Sequence, residues 1–186
     1  MNIKTIKVGS LRTNCYIISD GNEALVIDPG SEIENIRREL GGLKVKAVVL
    51  THGHYDHVTS AFELNAPVWI GEKDEIMMIH STGKKADRLL KENDLFDICN
   101  LSFVIIDTPG HTPGGICLYN EMEKMIFAGD TLFAGDYGRT DLPGGSEAEI
   151  IASLKKLLKL PQETKVFPGH GQATTIGDEQ NLLQSI

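Results

Sequence analysis

The sequence has no C-x-x-C pair, and its three cysteines, Cys15, Cys99 and Cys117, stand far apart. An odd, scattered set sets aside a disulfide framework and reads as free thiols in a reducing compartment. No basic segment followed by an apolar run opens the chain, so no secretory leader is expected. No stretch approaches the roughly 18–20 consecutive apolar residues of a membrane span. Positive charge is also scarce: 18 Lys and Arg stand against 26 Asp and Glu, a net charge of −8. That sign argues against gripping phosphate backbones as the main task, although bound divalent ions would add local positive charge. The expectation is a cytoplasmic protein with neither nucleic acid nor membrane as a partner. The rest is ordinary for a globular chain: 186 residues, 41% hydrophobic and 24% charged. It is enough for a single domain over residues 1–186 with a sizeable core.

Turn chemistry and apolar periodicity divide the chain. Ile3–Val8, Cys15–Ser19 and Glu23–Asp28 read as strands of a meander, the last two joined by Asp20-Gly21-Asn22. Ser31 and Glu34 have capping-box spacing before an amphipathic helix that Gly41-Gly42 ends. A strand to Leu50 follows, then a helix over Asp56–Leu64 and a short strand at Ala66–Ile70. The charged, Met-rich stretch Glu72–Asn93 predicts one or two helices covering an end of the domain. In the second half, Leu101–Ile106 is a strong strand, and Ile116–Tyr119 with Met125–Ala128 forms a hairpin. Ser146 and Glu149 cap a helix, Lys165–Phe167 is the last strand, and a terminal helix starts near Asp178. The fold class is α/β, with mixed sheets covered by helices.

The chemistry concentrates in Thr51-His52-Gly53-His54-Tyr55-Asp56-His57. Neutral imidazole and ionised carboxylate are what a borderline divalent ion binds. Three more strand-like runs end in a ligand type: His111, Asp130 and His170. Five of the six histidines lie in such turns, which scattered surface histidines would not do. Loops at strand ends are where sites form in layered α/β domains. Seven candidates exceed the roughly four ligands of one tetrahedral ion and suit two ions sharing a carboxylate. The simplest division gives His52, His54 and His111 to one ion and Asp56, His57 and His170 to the other, with Asp130 between them. The donor set suits zinc and admits iron or manganese.

These motifs resemble the metallo-β-lactamase-fold hydrolases, whose fold is an αββα sandwich with the site at one sheet edge. Thr13-Asn14-Cys15-Tyr16, Pro109-Gly110-His111-Thr112-Pro113-Gly114, Gly129-Asp130-Thr131-Leu132-Phe133 and Gly138-Arg139-Thr140-Asp141 are similar to the glyoxalase II branch. The resemblance implies the same division of ligands. It also implies a thioester hydrolase acting through a hydroxide that bridges the ions, with Asp56 and Asp130 orienting it. The substrate would be a small thioester, with glutathione as one candidate thiol. β-Lactamases of this fold commonly carry Cys at the position of Asp130, which argues against cleavage of antibiotics. Glyoxalase II proper adds a C-terminal helical domain that helps bind glutathione, whereas this chain runs about sixteen residues past His170. A mononuclear iron persulfide dioxygenase and a lactonase are the competing readings. Arg139 is a candidate fork for a substrate carboxylate, and equally a partner for Asp136 or Asp141. Tyr137 is a candidate pocket wall. Lys84, Lys85 and Arg88 read as a solvated helix face, and His80 as a surface histidine. Asp28 resembles a carboxylate supporting the ligands, or a turn cap before Pro29-Gly30.

Overall fold

The computed structural model describes residues 1–184. β1 (Asn2–Val8), β2 (Thr13–Asp20) and β3 (Glu23–Ile27) form the expected antiparallel meander. The sheet continues in parallel through β4 (Lys44–Leu50), β5 (Val68–Gly71) and β6 (Arg88–Leu90). Its middle strands are covered on both faces, which is why they read as unbroken apolar runs. Alternation still assigns the faces. Ile18, Leu25, Ile27, Ala47 and Val49 turn toward the second sheet, while Ile17, Val26, Val48 and Leu50 turn toward helices. Those helices are α1 (Ile33–Leu40), α2 (Tyr55–Val58) and α3 (Glu75–Thr82), which contribute Ile36, Val58 and Met78 to the outer core.

The second sheet begins with β7 (Leu95–Ile98), β8 (Leu101–Asp107), β9 (Ile116–Asn120) and β10 (Met125–Gly129), all antiparallel. A small hairpin, β11 (Leu132–Phe133) with β12 (Asp136–Tyr137), and α4 (Glu147–Leu157) intervene. β13 (Lys165–Pro168) then pairs parallel to β10, and β14 (Thr174–Thr175) pairs antiparallel to β13. Phe103, Ile105, Leu118, Phe127 and Phe167 face the first sheet, while Cys117, Ile126, Ala128 and Val166 lie under Ile150, Leu154 and Leu157 of α4. The layers therefore run helix, sheet, sheet, helix, the αββα sandwich that the resemblance implies. Between the sheets Phe127 stacks on Phe167 at 4.9 Å, and Tyr16 meets Phe127 edge-on at 5.1 Å. Burying each such ring stabilises by about 1.5–3 kcal/mol. Loops that follow β3, β4, β8, β10 and β13 meet at one edge of the sandwich.

Several local expectations are corrected. Ser31 does not cap α1. Glu32 occupies the N-cap in a left-handed conformation (φ 58°) with no side-chain cap bond. Its carbonyl accepts from Asn35 and Ile36 instead. The chain has already turned sharply at Asp28 (φ 51°) to aim that carboxylate at the site. Ser146, by contrast, caps α4 as predicted, accepting from the Glu149 amide at 3.3 Å. The helix expected over Asp56–Leu64 is broken into α2 and a 3₁₀ turn at Ala61–Leu64, because the Ser60 amide bonds to the Pro29 carbonyl.

Glu72–Asn93 holds only one α-helix. Arg88–Leu90 is an edge strand, aligned by the Asp87 amide on the Val68 carbonyl and the Val68 amide on the Asp87 carboxylate. Strand β7 was not anticipated. It reaches β8 through Cys99-Asn100, both with positive φ (52° and 58°), a tight hairpin turn built without glycine. The predicted terminal helix reduces to a 3₁₀ turn at Leu182–Gln184, and residues 185–186 lie outside the described residues. No helix among the described residues is long and apolar enough to cross a membrane.

Candidate metal centre

The loop after β4 supplies His52 and His54, and α2 supplies Asp56 and His57. His111 comes from the β8–β9 loop, Asp130 from the end of β10, and His170 from the end of β13. All seven predicted ligands meet. Their donor atoms fall into three overlapping groups within 4.8 Å: His52, His54 and His111; His52, His57 and Asp130; Asp56, His57 and His170. His54 Nδ1 lies 2.9 Å from His111 Nε2, and His57 Nε2 lies 3.4 Å from His170 Nε2. Asp56 Oδ2 is 3.3 Å from His170 Nε2 and 3.5 Å from His57 Nε2. Asp130 reaches both sides, at 3.5 Å from His57, 3.5 Å from His111 and 3.6 Å from His170. Donors at about 2.0–2.1 Å around a tetrahedral ion stand about 3.3–3.4 Å apart, which is the scale of these separations.

Hydrogen bonds on the opposite ring nitrogen decide which nitrogen faces inward. His57 Nδ1 donates to Asp28 Oδ2 at 2.9 Å, and His111 Nδ1 to the Arg139 carbonyl at 2.7 Å. His170 Nδ1 donates to the Leu11 carbonyl at 3.2 Å, and His52 Nδ1 pairs with Thr51 Oγ1 at 3.1 Å. In the neutral form of each of these rings Nε2 is the nitrogen with a lone pair for the centre, the arrangement of metal-ligating histidines. Buried His52 Nε2 and Asp130 Oδ1 have no hydrogen-bond partner among the described residues, a costly state unless a cation meets them. The residues therefore fit a divalent metal.

The electrostatics divide the histidines. Burial, reinforced by the neighbouring imidazoles, holds His52 well below its usual range, and burial with His111 lowers His54. Burial also pushes His57 down, but the Asp130, Asp28 and Asp56 carboxylates overcome it and raise its pKa to about 9. His170 is raised, chiefly by its hydrogen bond to Asp56. Burial pushes Asp56 up, but His170, His57 and the Thr13 hydroxyl at 2.7 Å outweigh it and hold the carboxyl well below the usual range.

Other residues fall into place around this cluster. Asp28 supports the ligands rather than merely capping a turn. Its Oδ1 accepts from the Thr51 amide at 2.8 Å and its Oδ2 from the Thr51 hydroxyl at 2.7 Å, besides His57. Asn14 and Tyr16 both donate to the Pro168 carbonyl, at 2.9 and 2.6 Å, and so anchor the loop that carries His170. Asp74 escaped the sequence reading; it is fully buried and accepts from the backbone amides of Gly53 and Gly114. Gly53 leaves room for α3: a Cβ there would meet Met77 Cβ at 2.7 Å.

Arg139 turns its guanidinium away onto Asp141, at 2.6 and 2.7 Å, and touches the centre only through its carbonyl. Tyr137 packs against the apolar cluster beneath α4. His80 is exposed. Lys84 and Arg88 lie over the rings of Phe62 and Trp69. All three cysteines are buried and free.

The description of the metallo-beta-lactamase superfamily matches residues 8–170. The chain belongs to the metallo-β-lactamase superfamily. Hydroxyacylglutathione hydrolase GloC of Haemophilus influenzae is 35% identical to it over 97% of this chain and 95% of that protein. Among solved structures, BLEG-1, described as a B3 metallo-β-lactamase, superposes with a TM-score of 0.90 at 34% identity, over 97% of both chains. TTHA1623, solved in a di-iron-bound form, gives a TM-score of 0.84 at 34% identity, over 95% of this chain and 96% of that one. The protein is thus a metal-dependent hydrolase of the metallo-β-lactamase superfamily, with a histidine and aspartate cluster that fits divalent metal.

Proposed function

We propose that the protein hydrolyses a small thioester, with two divalent ions held by His52, His54 and His111 on one side and Asp56, His57 and His170 on the other. Asp130 is the shared ligand. Zinc is the favoured metal, and the di-iron form of TTHA1623 keeps iron a direct competitor. The observation that carries this reading is the reach of Asp130 to histidines of both groups. The 35% identity to a hydroxyacylglutathione hydrolase supports the thioester class.

Metal bound here would supply Lewis acidity, bringing the pKa of water from about 15.7 toward 7 and stabilising charge on a carbonyl oxygen. The chain's own residues do the rest. Asp28, Thr51, Leu11 and Arg139 hold the His57, His52, His170 and His111 imidazoles in a fixed orientation. Thr13 donates to Asp56 Oδ2, the oxygen that also faces His57 and His170, and so fixes that carboxylate where it would hold metal. No serine or cysteine nucleophile is needed, and the buried cysteines are not available as one. A thiolate leaving group, with a conjugate acid near about 8.5, departs without a dedicated general acid. The substrate class we favour is an acyl thioester of a small thiol, glutathione being the first to try.

The test is turnover by zinc-, iron- and manganese-loaded protein on S-lactoylglutathione, an acyl-coenzyme A, a lactone, a β-lactam and a glutathione persulfide. Fastest hydrolysis of a thioester is expected. Turnover of the β-lactam, or oxygen uptake with the persulfide, in the absence of thioester hydrolysis would overturn the proposal.

A further inference from the structure

Asp74 sits at the N-cap of α3, where an aspartate ordinarily bonds to its own helix. It makes no such bond. Instead its two oxygens go to two different ligand loops. Oδ2 accepts from the Gly53 amide at 2.9 Å, between His52 and His54. Oδ1 accepts from the Gly114 amide at 2.6 Å, three residues after His111. The side chain is completely buried, and a carboxylate is taken out of water only where hydrogen bonds replace its hydration. Both glycines are shaped around it. A Cβ on Gly114 would lie 2.3 Å from the Asp74 amide nitrogen, and one on Gly53 would lie 2.9 Å from the Asp74 carbonyl oxygen.

The geometry points to Asp74 as a positioning residue that sets the group His52, His54 and His111 while leaving Asp56, His57 and His170 alone. The first group is drawn from the two loops it ties. The second is held by Asp28, Thr13 and the Leu11 carbonyl, none of which it touches. In an Asp74→Asn variant the amide oxygen serves one glycine and the amide nitrogen opposes the other, so the loops go slack by one bond. The Ile116 amide still bonds to the Thr51 carbonyl at 2.8 Å, which keeps the loops adjacent and the variant folded.

This inference rests on the two-ion reading, and the experiment separates the two. Zinc affinity is measured by chelator competition in two backgrounds, His170→Ala, which spares the first group, and His54→Ala, which spares the second. Adding Asp74→Asn is expected to weaken the first background 10–100-fold, the scale for losing a group that orients ligands. The second background should change less than twofold. Equal losses in both, or none in either, would overturn the proposal. Unmodified protein binding fewer than two zinc ions would reject the two-ion reading instead. The clamp is then still decided by amide hydrogen exchange in the unmodified, metal-free protein. Slow exchange at Gly53 and Gly114 is expected, and exchange at open-loop rates would overturn it. The same exchange measurement decides the case if Asp74→Asn does not fold.

Discussion

Replacing Asp28 with asparagine tests how far the ligands depend on what stands behind them. The carboxylate accepts three hydrogen bonds, from His57 Nδ1, the Thr51 hydroxyl and the Thr51 amide. An amide can accept on one side only. If its nitrogen faces His57, two donors oppose each other at 2.9 Å, and the ring must rotate or move its proton to Nε2, the nitrogen needed by the metal. If its nitrogen faces the Thr51 amide, a buried backbone donor is stranded. Either way a buried donor loses its partner, at about 1–3 kcal/mol. Expressed in metal affinity, about 1.4–2.8 kcal/mol is 10–100-fold, the usual range for such supports.

Two assays read this out. Chelator competition with zinc should show that loss, largest for the ion touching His57. NMR titration of metal-free protein should show the His57 pKa falling from about 9, since Asp28 is one of the three carboxylates that raise it against burial. A folded Asp28→Asn protein with unchanged zinc affinity and an unchanged His57 titration would refute the reasoning.

Zinc uptake near pH 7.5 should release protons, because the pKa of His57, raised to about 9, leaves a proton on that ring; a pH dye in weak buffer measures this, and no release would contradict it. Metal-free protein should be most stable near the ordinary histidine pKa of about 6.5. His57 is raised, so its contribution is complete below that value and is lost as pH climbs to about 9. His52 is lowered, so its contribution is present above that value and is lost as pH falls. Urea midpoints against pH check this, and a midpoint still rising at pH 9 would count against it. Arg139→Ala should leave zinc affinity within twofold, since His111 uses only the backbone carbonyl of that residue. Phe103→Ala, which empties a fully buried site between the sheets, should cost about 3–5 kcal/mol in denaturant unfolding without changing ion stoichiometry.

The residues that converge at the centre were legible in the sequence as a set because each is a chemically distinctive residue placed close after an apolar run. Strands β2, β3, β4, β8, β9 and β10 were legible for a related reason: buried faces impose apolar runs that turn residues bound sharply. What stayed hidden depends on contacts distant in the chain. Arg88–Leu90 has helix-compatible residues and becomes a strand only because β5 offers it a partner edge. The turn at Cys99-Asn100 lacks the glycine that usually marks its conformation. Asp74 looked like one acid among several before a helix, and its role exists only because Gly53 and Gly114 converge on it. Arg139 could be paired with Asp136 or Asp141 on paper, and backbone geometry selects Asp141.

Elemental analysis of protein dialysed to equilibrium against zinc, beside the same measurement on Asp130→Ala, tests the proposed sharing of Asp130 most directly. The account predicts two ions per chain in the unmodified protein, and a lower content together with lost thioester hydrolysis in the variant. A single ion in the unmodified protein, or full occupancy and turnover in Asp130→Ala, would contradict it.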